Sequence, residues 1–239
     1  MSEKQNANLE IVEKTPNCVG IIMDGNRRWA RAKGLPLLEG HRAGLESVKK
    51  IAKFANEVGI KNLIFFTFST ENWNRAKEEV DYLMSLFKIY FDKEIDKLNE
   101  QNIVVRVAGD IKRFSEDIQK IILQATEKTK NNTGTCVYFA LNYGGRTEIL
   151  SAVKKILKEN PKDEEITEEY FARYMQTYPM PDPDIIIRTS GEMRLSGFLP
   201  WQGVYSELFF TKTFWPDFSK EEFQSIIEEF NERERRMGK

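Results

Sequence analysis

The sequence predicts an α/β fold: a single parallel sheet of about six strands with helices on both faces. Three observations carry this expectation. Strand-like and helix-like segments alternate from Cys18 onward. Leu63 to Phe68 is apolar throughout, as a strand covered on both faces must be. Polar stretches bearing glycine or arginine follow strand after strand, and in such sheets these strand ends gather at one edge, where ligands bind.

Residues 1–15 are polar and expected to fray. The first strand is about Cys18 to Met23. Beyond Asp24-Gly25-Asn26, a helical segment from Arg27 to Lys33 is closed by Gly34 and Pro36. Gly40 opens a helix to about Val58, with Leu45, Val48, Ile51, Ala52 and Ala55 at helical spacing and Gly59 as its cap. The second strand, Leu63 to Phe68, runs into the polar loop Ser69 to Arg75. One long helix is expected from about Glu78 to Asn99, because Val80, Leu83, Met84, Phe87, Phe91, Ile95 and Leu98 share a broad face.

Strand three is Ile103 to Ala108, a helix spans Ser115 to Lys130, and Asn132 and Gly134 turn the chain into strand four, Thr135 to Leu141. Asn142-Tyr143-Gly144-Gly145-Arg146 is the next strand-end loop, followed by a helix to Glu159. After an acidic stretch, a short helix covers Glu168 to Met175. The prolines of 178–183 forbid helix there and lead into strand five, Asp184 to Arg188. Thr189 to Trp201 is a long loop, Glu207 to Phe210 is strand six, and Lys220 to Arg236 is an amphipathic helix with a charged outer face. No repeat or linker divides the chain, so residues 1–239 are expected to form a single domain.

Composition excludes several classes. At 41% hydrophobic and 31% charged, the chain is that of an ordinary soluble protein. A net charge of −1 argues against nucleic-acid binding, so any anion site must rest on local arginines. Cys18 and Cys136 lie far apart in apolar runs and read as buried free thiols in a reducing compartment. With His41 as the one histidine, a His-rich metal site is excluded. No run is apolar enough to cross a bilayer, and the polar N-terminus is no signal peptide. A cytoplasmic location is expected, with peripheral membrane contact left open.

Within this frame the stretch Ile21 to Ala30, IIMDGNRRWA, is the focus. It places a carboxylate at a strand end, a glycine that lets backbone approach a ligand, and a helix start with Arg27, Arg28 and Arg31 just beyond. A carboxylate alone repels phosphate; a carboxylate beside arginines and N–H donors suits phosphate held together with a divalent cation. Neither a Walker motif nor G-x-G-x-x-G is present, so a nucleotide is not the expected ligand. Arg188 at a strand end could simply pair with an acid, but Arg194 and Ser196 in the same loop favour a second anion pocket, since guanidinium groups and hydroxyls match phosphate oxygens. Trp73 in the 69–75 loop either packs the loop down or faces a ligand. Glu207 opens an apolar strand, where an unpaired charge is costly, and so either pairs with an arginine or helps hold a cation.

These residues carry a resemblance. IIMDGNRRWA, GHRAG at 40–44, FSTENWNR at 68–75, NYGGR at 142–146, RTSGEMRLSGFLPWQ at 188–202, YSELFF at 205–210 and WPDF at 215–218 resemble the cis-prenyltransferases, in that family's order and over the chain beyond residue 16. The resemblance implies an enzyme that adds isopentenyl diphosphate repeatedly, in cis, onto an allylic diphosphate such as farnesyl diphosphate. The implied product is a long-chain polyprenyl diphosphate such as undecaprenyl diphosphate, precursor of the lipid carrier for cell-wall synthesis. It implies Mg²⁺ as cofactor, a homodimer, and an apolar tunnel between helices and sheet, walled in part by helix 78–99.

By the same resemblance, Asp24 would hold Mg²⁺ and act in catalysis, with Glu207 as the second metal residue. Gly25, Asn26, Arg27, Arg28, Trp29 and His41 would cradle the allylic diphosphate. Arg188, Arg194, Leu195 and Ser196 would hold isopentenyl diphosphate. Ser69, Thr70, Glu71, Trp73 and Arg75 would orient the substrates from a mobile loop, with Asn72 helping to remove the proton. The D-D-x-x-D motif of trans-prenyltransferases is missing. The chain departs from the family pattern at Cys18 and Met193, where relatives often carry His, at Leu37, often basic, and at Gly197, often Asn. A non-catalytic subunit of the same family that binds prenyl diphosphates is the alternative reading, although such subunits lose motif residues that this chain keeps.

Overall fold

The computed structural model describes residues 15–233. The N-terminal stretch expected to fray and the last helical turn expected up to Arg236 lie outside them, at 1–14 and 234–236. The elements are β1 Cys18–Ile22, α1 Asn26–Ala32, α2 Leu37–Glu57, β2 Asn62–Ser69, α3 Lys77–Lys93, α4 Ile95–Glu100 and β3 Val104–Ala108. They continue with α5 Glu116–Thr129, β4 Cys136–Tyr143, α6 Gly145–Glu159, α7 Glu168–Ala172, β5 Ile185–Arg188, β6 Glu207–Phe210 and α8 Lys220–Glu232.

Six strands form one sheet in the order β3-β4-β2-β1-β5-β6, every neighbour parallel. From β1 the chain moves outward through β2 and then crosses to β5 on the other side. The strand order therefore reverses at β1, where a crevice opens at the carboxyl ends. Side chains alternate along β1: Val19 and Ile21 join the larger core with α2, α3, α5 and α8, whereas Cys18 and Ile22 join the smaller one. The second face is covered unevenly. Met180, ahead of β5, and Phe198 and Leu199 from the 189–206 segment pack on it. The start of α6 is tied to that segment through Gly145 N–H donating to the Gly197 carbonyl at 2.8 Å.

The expected helix 78–99 is two helices, interrupted at Glu94 (φ −98°, ψ −12°). Neither glycine nor proline marks the break. Glu94 turns to Lys49 of α2 at 2.9 Å and to Lys97 at 3.3 Å, while Ile95 and Leu98 stay buried, so the apolar pattern runs through the interruption unchanged. Helix α2 begins at Leu37 rather than Gly40, because Pro36 supplies its start.

Gly40 and Gly44 fix the distance between α1 and α2. A Cβ on Gly40 would lie 1.9 Å from the Asn26 carbonyl oxygen, and one on Gly44 would lie 2.3 Å from Asn26 Oδ1. Trp215, buried beside them, donates from Nε1 to the Gly44 carbonyl at 2.8 Å and from its backbone N to the Asp24 carbonyl at 3.0 Å. Substituting Gly40→Ala is expected to cost about 3 kcal/mol, the upper end for overpacking, because the obstacle is backbone. Urea unfolding checks this; a loss within error of zero would show that α1 shifts freely.

Candidate active site

The carboxyl ends of β1, β2 and β5 surround two connected recesses. The larger, about 430 Å³, is lined at its polar mouth by Asp24, Asn26, His41, Ser69, Glu71, Asn72, Arg75, Arg188 and Ser196. Its inner wall is apolar, with Leu45 and Val48 from α2, Leu83, Leu86 and Phe87 from α3, and Trp215. The smaller, about 310 Å³, is lined by Asp24, Gly25, Asn26, Arg27, Arg28, Arg31, His41 and Arg75.

Asp24 leaves β1 with its side chain 29% exposed. Its Oδ2 accepts from Arg188 Nη2 at 2.8 Å, and its Oδ1 accepts from the Gly25 N–H at 2.7 Å and faces Arg28 Nη2 at 3.2 Å. Burial pushes its pKa up, but the bond and charge of Arg188, with Arg28 and the Gly25 N–H, outweigh this and hold it below the usual carboxylate range. The Thr189 hydroxyl accepts from Asp24 N–H at 3.0 Å and donates to the Asp24 carbonyl at 2.7 Å, locking the turn. Gly25 adopts φ +102°, and a Cβ there would lie 2.8 Å from both Phe214 and Ser190. Only glycine passes through this point without strain.

Arg188, 5% exposed, also donates through Nη1 to Ser196 Oγ at 2.8 Å and to the Arg194 carbonyl at 2.5 Å. The two predicted anion pockets are therefore joined. Arg28 reaches across as well, to Ser190 Oγ and to Glu192 at 3.2 Å, and Glu192 in turn pairs with Arg194. Arg194 itself is 60% exposed at the rim.

The loop after β2 forms a 3₁₀ turn, Thr70–Asn74. Asn72 Oδ1 accepts from Ser69 N–H at 3.1 Å, which closes the turn and holds Asn72 on the recess wall. Trp73 faces away from both recesses. Its ring packs on Phe68 and Phe114 with Arg113 stacked 4.5 Å above, and its Nε1 donates to Asn142 Oδ1 at 2.8 Å. Asn142 donates onward to the Asp110 carbonyl at 2.8 Å. Of the two readings of this tryptophan, the packing one describes its position here.

His41 lies in the wall with Nε2 3.3 Å from Glu79 Oε1. Burial lowers its pKa, as does the nearby charge of Arg75, with Glu79 pulling the other way. Besides Trp73 and the exposed Arg194, four predicted site residues stand apart from the recess linings. Trp29 is covered by Lys33 at 4.5 Å, Leu195 packs into the smaller core, and Thr70 lies against Gly144. Glu207 is the fourth. It pairs in register with Ile185, three residues before Arg188, about 10 Å from the strand ends. Its Oε2 accepts from Arg233 Nη1 at 2.8 Å, so within one chain it is an ion-pair partner and does not meet Asp24.

No site role was expected of Glu79, Thr189, Asn142 or Arg113, although Thr189 and Asn142 lie in strand-end motifs. For Glu79 the signal is its spacing from Arg75, four apart at a helix start. Among the departures, Met193 projects 76% exposed, and Gly197 adopts φ +79°, a left-handed conformation that Asn also takes. Among the described residues no group of three His, Cys, Asp or Glu side chains could hold a metal ion. Mg²⁺ is commonly held by one or two carboxylates together with substrate phosphates and water. A single carboxylate beside a basic recess, as Asp24 is, fits that mode.

Comparisons with known proteins agree with this geometry. Residues 22–238 match the profile of a prenyltransferase family described as "Putative undecaprenyl diphosphate synthase". An isoprenyl transferase of Streptococcus pyogenes serotype M6 is 45% identical, covering 99% of this chain and 98% of that protein. An isoprenyl transferase of Clostridium perfringens is 44% identical over 99% of this chain and 97% of its own. Among solved structures, lavandulyl diphosphate synthase from Lavandula x intermedia in complex with dimethylallyl diphosphate superposes with a TM-score of 0.90 at 33% identity, covering 94% of this chain and 99% of that one. A probable undecaprenyl diphosphate synthase from Campylobacter jejuni gives 0.80 at 33% identity, covering 95% and 100%.

The bond between Trp73 and Asn142 generates a test. Trp73→Phe keeps the packing but leaves Asn142 Oδ1 without its donor. The expected cost is about 1 kcal/mol, with faster proteolysis at residues 70–75. Limited proteolysis followed by mass spectrometry reads this; unchanged cleavage would show that the bond does not anchor the loop.

Proposed function

The chain belongs to the undecaprenyl diphosphate synthase family of prenyltransferases and is a cis-prenyltransferase; from that premise we propose its substrates, product and residue roles. It condenses isopentenyl diphosphate units in cis onto an allylic diphosphate, farnesyl diphosphate by preference. The product is undecaprenyl diphosphate, precursor of the lipid carrier for cell-wall synthesis. The observation that carries this reading is a single recess with an arginine-lined mouth and an apolar inner wall. A prenyl diphosphate has the same two ends. The dimethylallyl diphosphate bound by the lavandulyl enzyme is an allylic diphosphate of the same kind.

In this proposal Gly25, Asn26, Arg27, Arg28, His41 and Arg75 seat the allylic diphosphate, and Arg188, Arg194 and Ser196 seat that of isopentenyl diphosphate. The allylic C–O bond breaks and its electrons leave with the diphosphate. The isopentenyl double bond then attacks the allylic carbon, and a proton is lost to form the new cis double bond. Arginines fixed before the reaction stabilise the departing oxygens without reorganising. Holding two anions side by side converts a bimolecular encounter into an intramolecular one. Asn72, held by Ser69, stands on the wall to help remove the proton. When bound, Mg²⁺ would draw charge from the leaving diphosphate, and Asp24 is the residue that would hold it. The apolar wall binds the growing chain at roughly 25 cal/mol per Å² removed from water.

A homodimer belongs to the same proposal. It is supported by the exposed Leu150, Val153 and Leu157 on α6 and by exposed Val204, Tyr205 and Leu208 at the open edge strand β6. No helix among the described residues is long and apolar enough to cross a membrane. A cytoplasmic enzyme that hands its product to the membrane completes the reading.

Two outcomes are expected. Asp24→Ala lowers kcat on the order of 10³-fold while circular dichroism stays native. Because it leaves the buried Arg188 charge without its partner, Asp24→Asn is assayed beside it, and near-normal turnover of both variants would refute the role. Arg194→Ala raises KM for isopentenyl diphosphate about tenfold or more, with a much smaller change for farnesyl diphosphate. Equal shifts in both constants would refute the division of the two seats.

A further inference from the structure

Glu79 stands in the first turn of α3 with its side chain 11% exposed, and two arginines and a histidine from three separate elements converge on it. Its Oε2 pairs with Arg27 Nη1 of α1 at 3.3 Å. Its Oε1 accepts from Arg75 Nη1, just after the 3₁₀ turn, at 2.9 Å, and faces His41 Nε2 of α2 at 3.3 Å. Arg27, His41 and Arg75 all line the 310 Å³ recess, whereas Glu79 is not among the lining residues. The carboxylate therefore grips the two arginines and the histidine from behind.

The bland reading is a helical ion pair, since Arg75 and Glu79 are four apart. That reading accounts for one of the three contacts and not for the burial. A near-buried carboxylate is costly unless several partners repay it. An arginine carries five N–H donors, and each arginine here commits one nitrogen, Nη1, to Glu79. The rest of each guanidinium remains for an anion in the recess. Part of the rotamer freedom that the arginines would lose on binding is already given up to Glu79.

We propose that Glu79 is a positioning residue for the allylic diphosphate, aiming Arg27, His41 and Arg75 into the recess and tying α1, α2 and the 70–75 turn to α3. This rests on the reading of that recess as the diphosphate seat. Glu79 touches no substrate; it acts through the cations it holds.

The test is calorimetric titration with inorganic pyrophosphate of the full chain and of Glu79→Gln, Glu79→Asp and Arg27→Ala/Arg75→Ala variants, each first checked by thermal unfolding. Glu79→Gln keeps the shape and an acceptor oxygen but removes the charge. Its Kd for pyrophosphate is expected to rise about tenfold, and Glu79→Asp, which keeps the charge, recovers part of that loss. In turnover, the KM for the allylic substrate rises with little change in that for isopentenyl diphosphate, a split that a general loosening of the fold would not produce. Added to Arg27→Ala/Arg75→Ala, Glu79→Gln causes little further loss, because its effect passes through those arginines. Equal or tighter binding by Glu79→Gln would overturn the proposal, as would a full tenfold loss in the double-arginine background. If the unaltered chain binds no pyrophosphate, the seat itself is refuted and the role of Glu79 falls with it. If it binds and Glu79→Gln binds equally, only the role of Glu79 is refuted.

Discussion

The site depends on one buried cation. Arg188 ends β5 with 5% of its surface exposed, and a guanidinium in that position is tolerable only with acceptors around it. The parallel pairing of β1 and β5 sets Ile22 beside Arg188, which brings Asp24 within 2.8 Å of it. Ser196 and the Arg194 carbonyl supply the other acceptors, and in doing so they pin the long 189–206 loop over the strand ends. Arg188 Nε is buried without a protein partner. The same contacts that make the charge bearable thus assemble the polar mouth.

This arrangement also changes how the two anion pockets relate. As sequence, they lie some 160 residues apart and read as separate clusters. As structure, Arg28 of the first reaches Ser190 and Glu192 of the second, and Asp24 shares Arg188 with Ser196. Two anionic substrates held along one continuous cationic band can be brought close, because each arginine offsets repulsion between them. The acids interleaved in the band, Asp24, Glu79 and Glu192, keep the cations from repelling one another in the free protein.

What was legible in the sequence follows the range of the forces involved. Apolar periodicity found all six strands and the main helices, because burial imposes it residue by residue. It missed the break at Glu94, where the apolar spacing is uninterrupted and the side chain meets Lys49 on another helix. The residue types of the mouth were readable, since Asp24, Asn26, His41, Ser69, Asn72, Arg75, Arg188 and Ser196 all reach the recess. Glu207 left open an arginine partner or a place at the metal, and its position at the start of β6 sets it beside Arg233, a partner that no local spacing reveals. Trp73 left two readings open in sequence, and Asn142 and Arg113 decide where it sits.

The sequence by itself determined that the protein is a parallel α/β protein with an acid and arginines at its strand ends, and the resemblance in its motifs pointed to an enzyme of the cis-prenyltransferases. Those features are local: an apolar run, a turn glycine, a charged loop. Only the tertiary structure decided which charges meet. It joined the two arginine clusters through Arg188, turned Trp73 inward as an anchor, set Glu207 beside Arg233, and placed Glu79 behind two arginines and a histidine. A contact between charges depends on strand register and on how closely helices approach. Here the register of β1 with β5 and the glycine-sized gap between α1 and α2 set those distances.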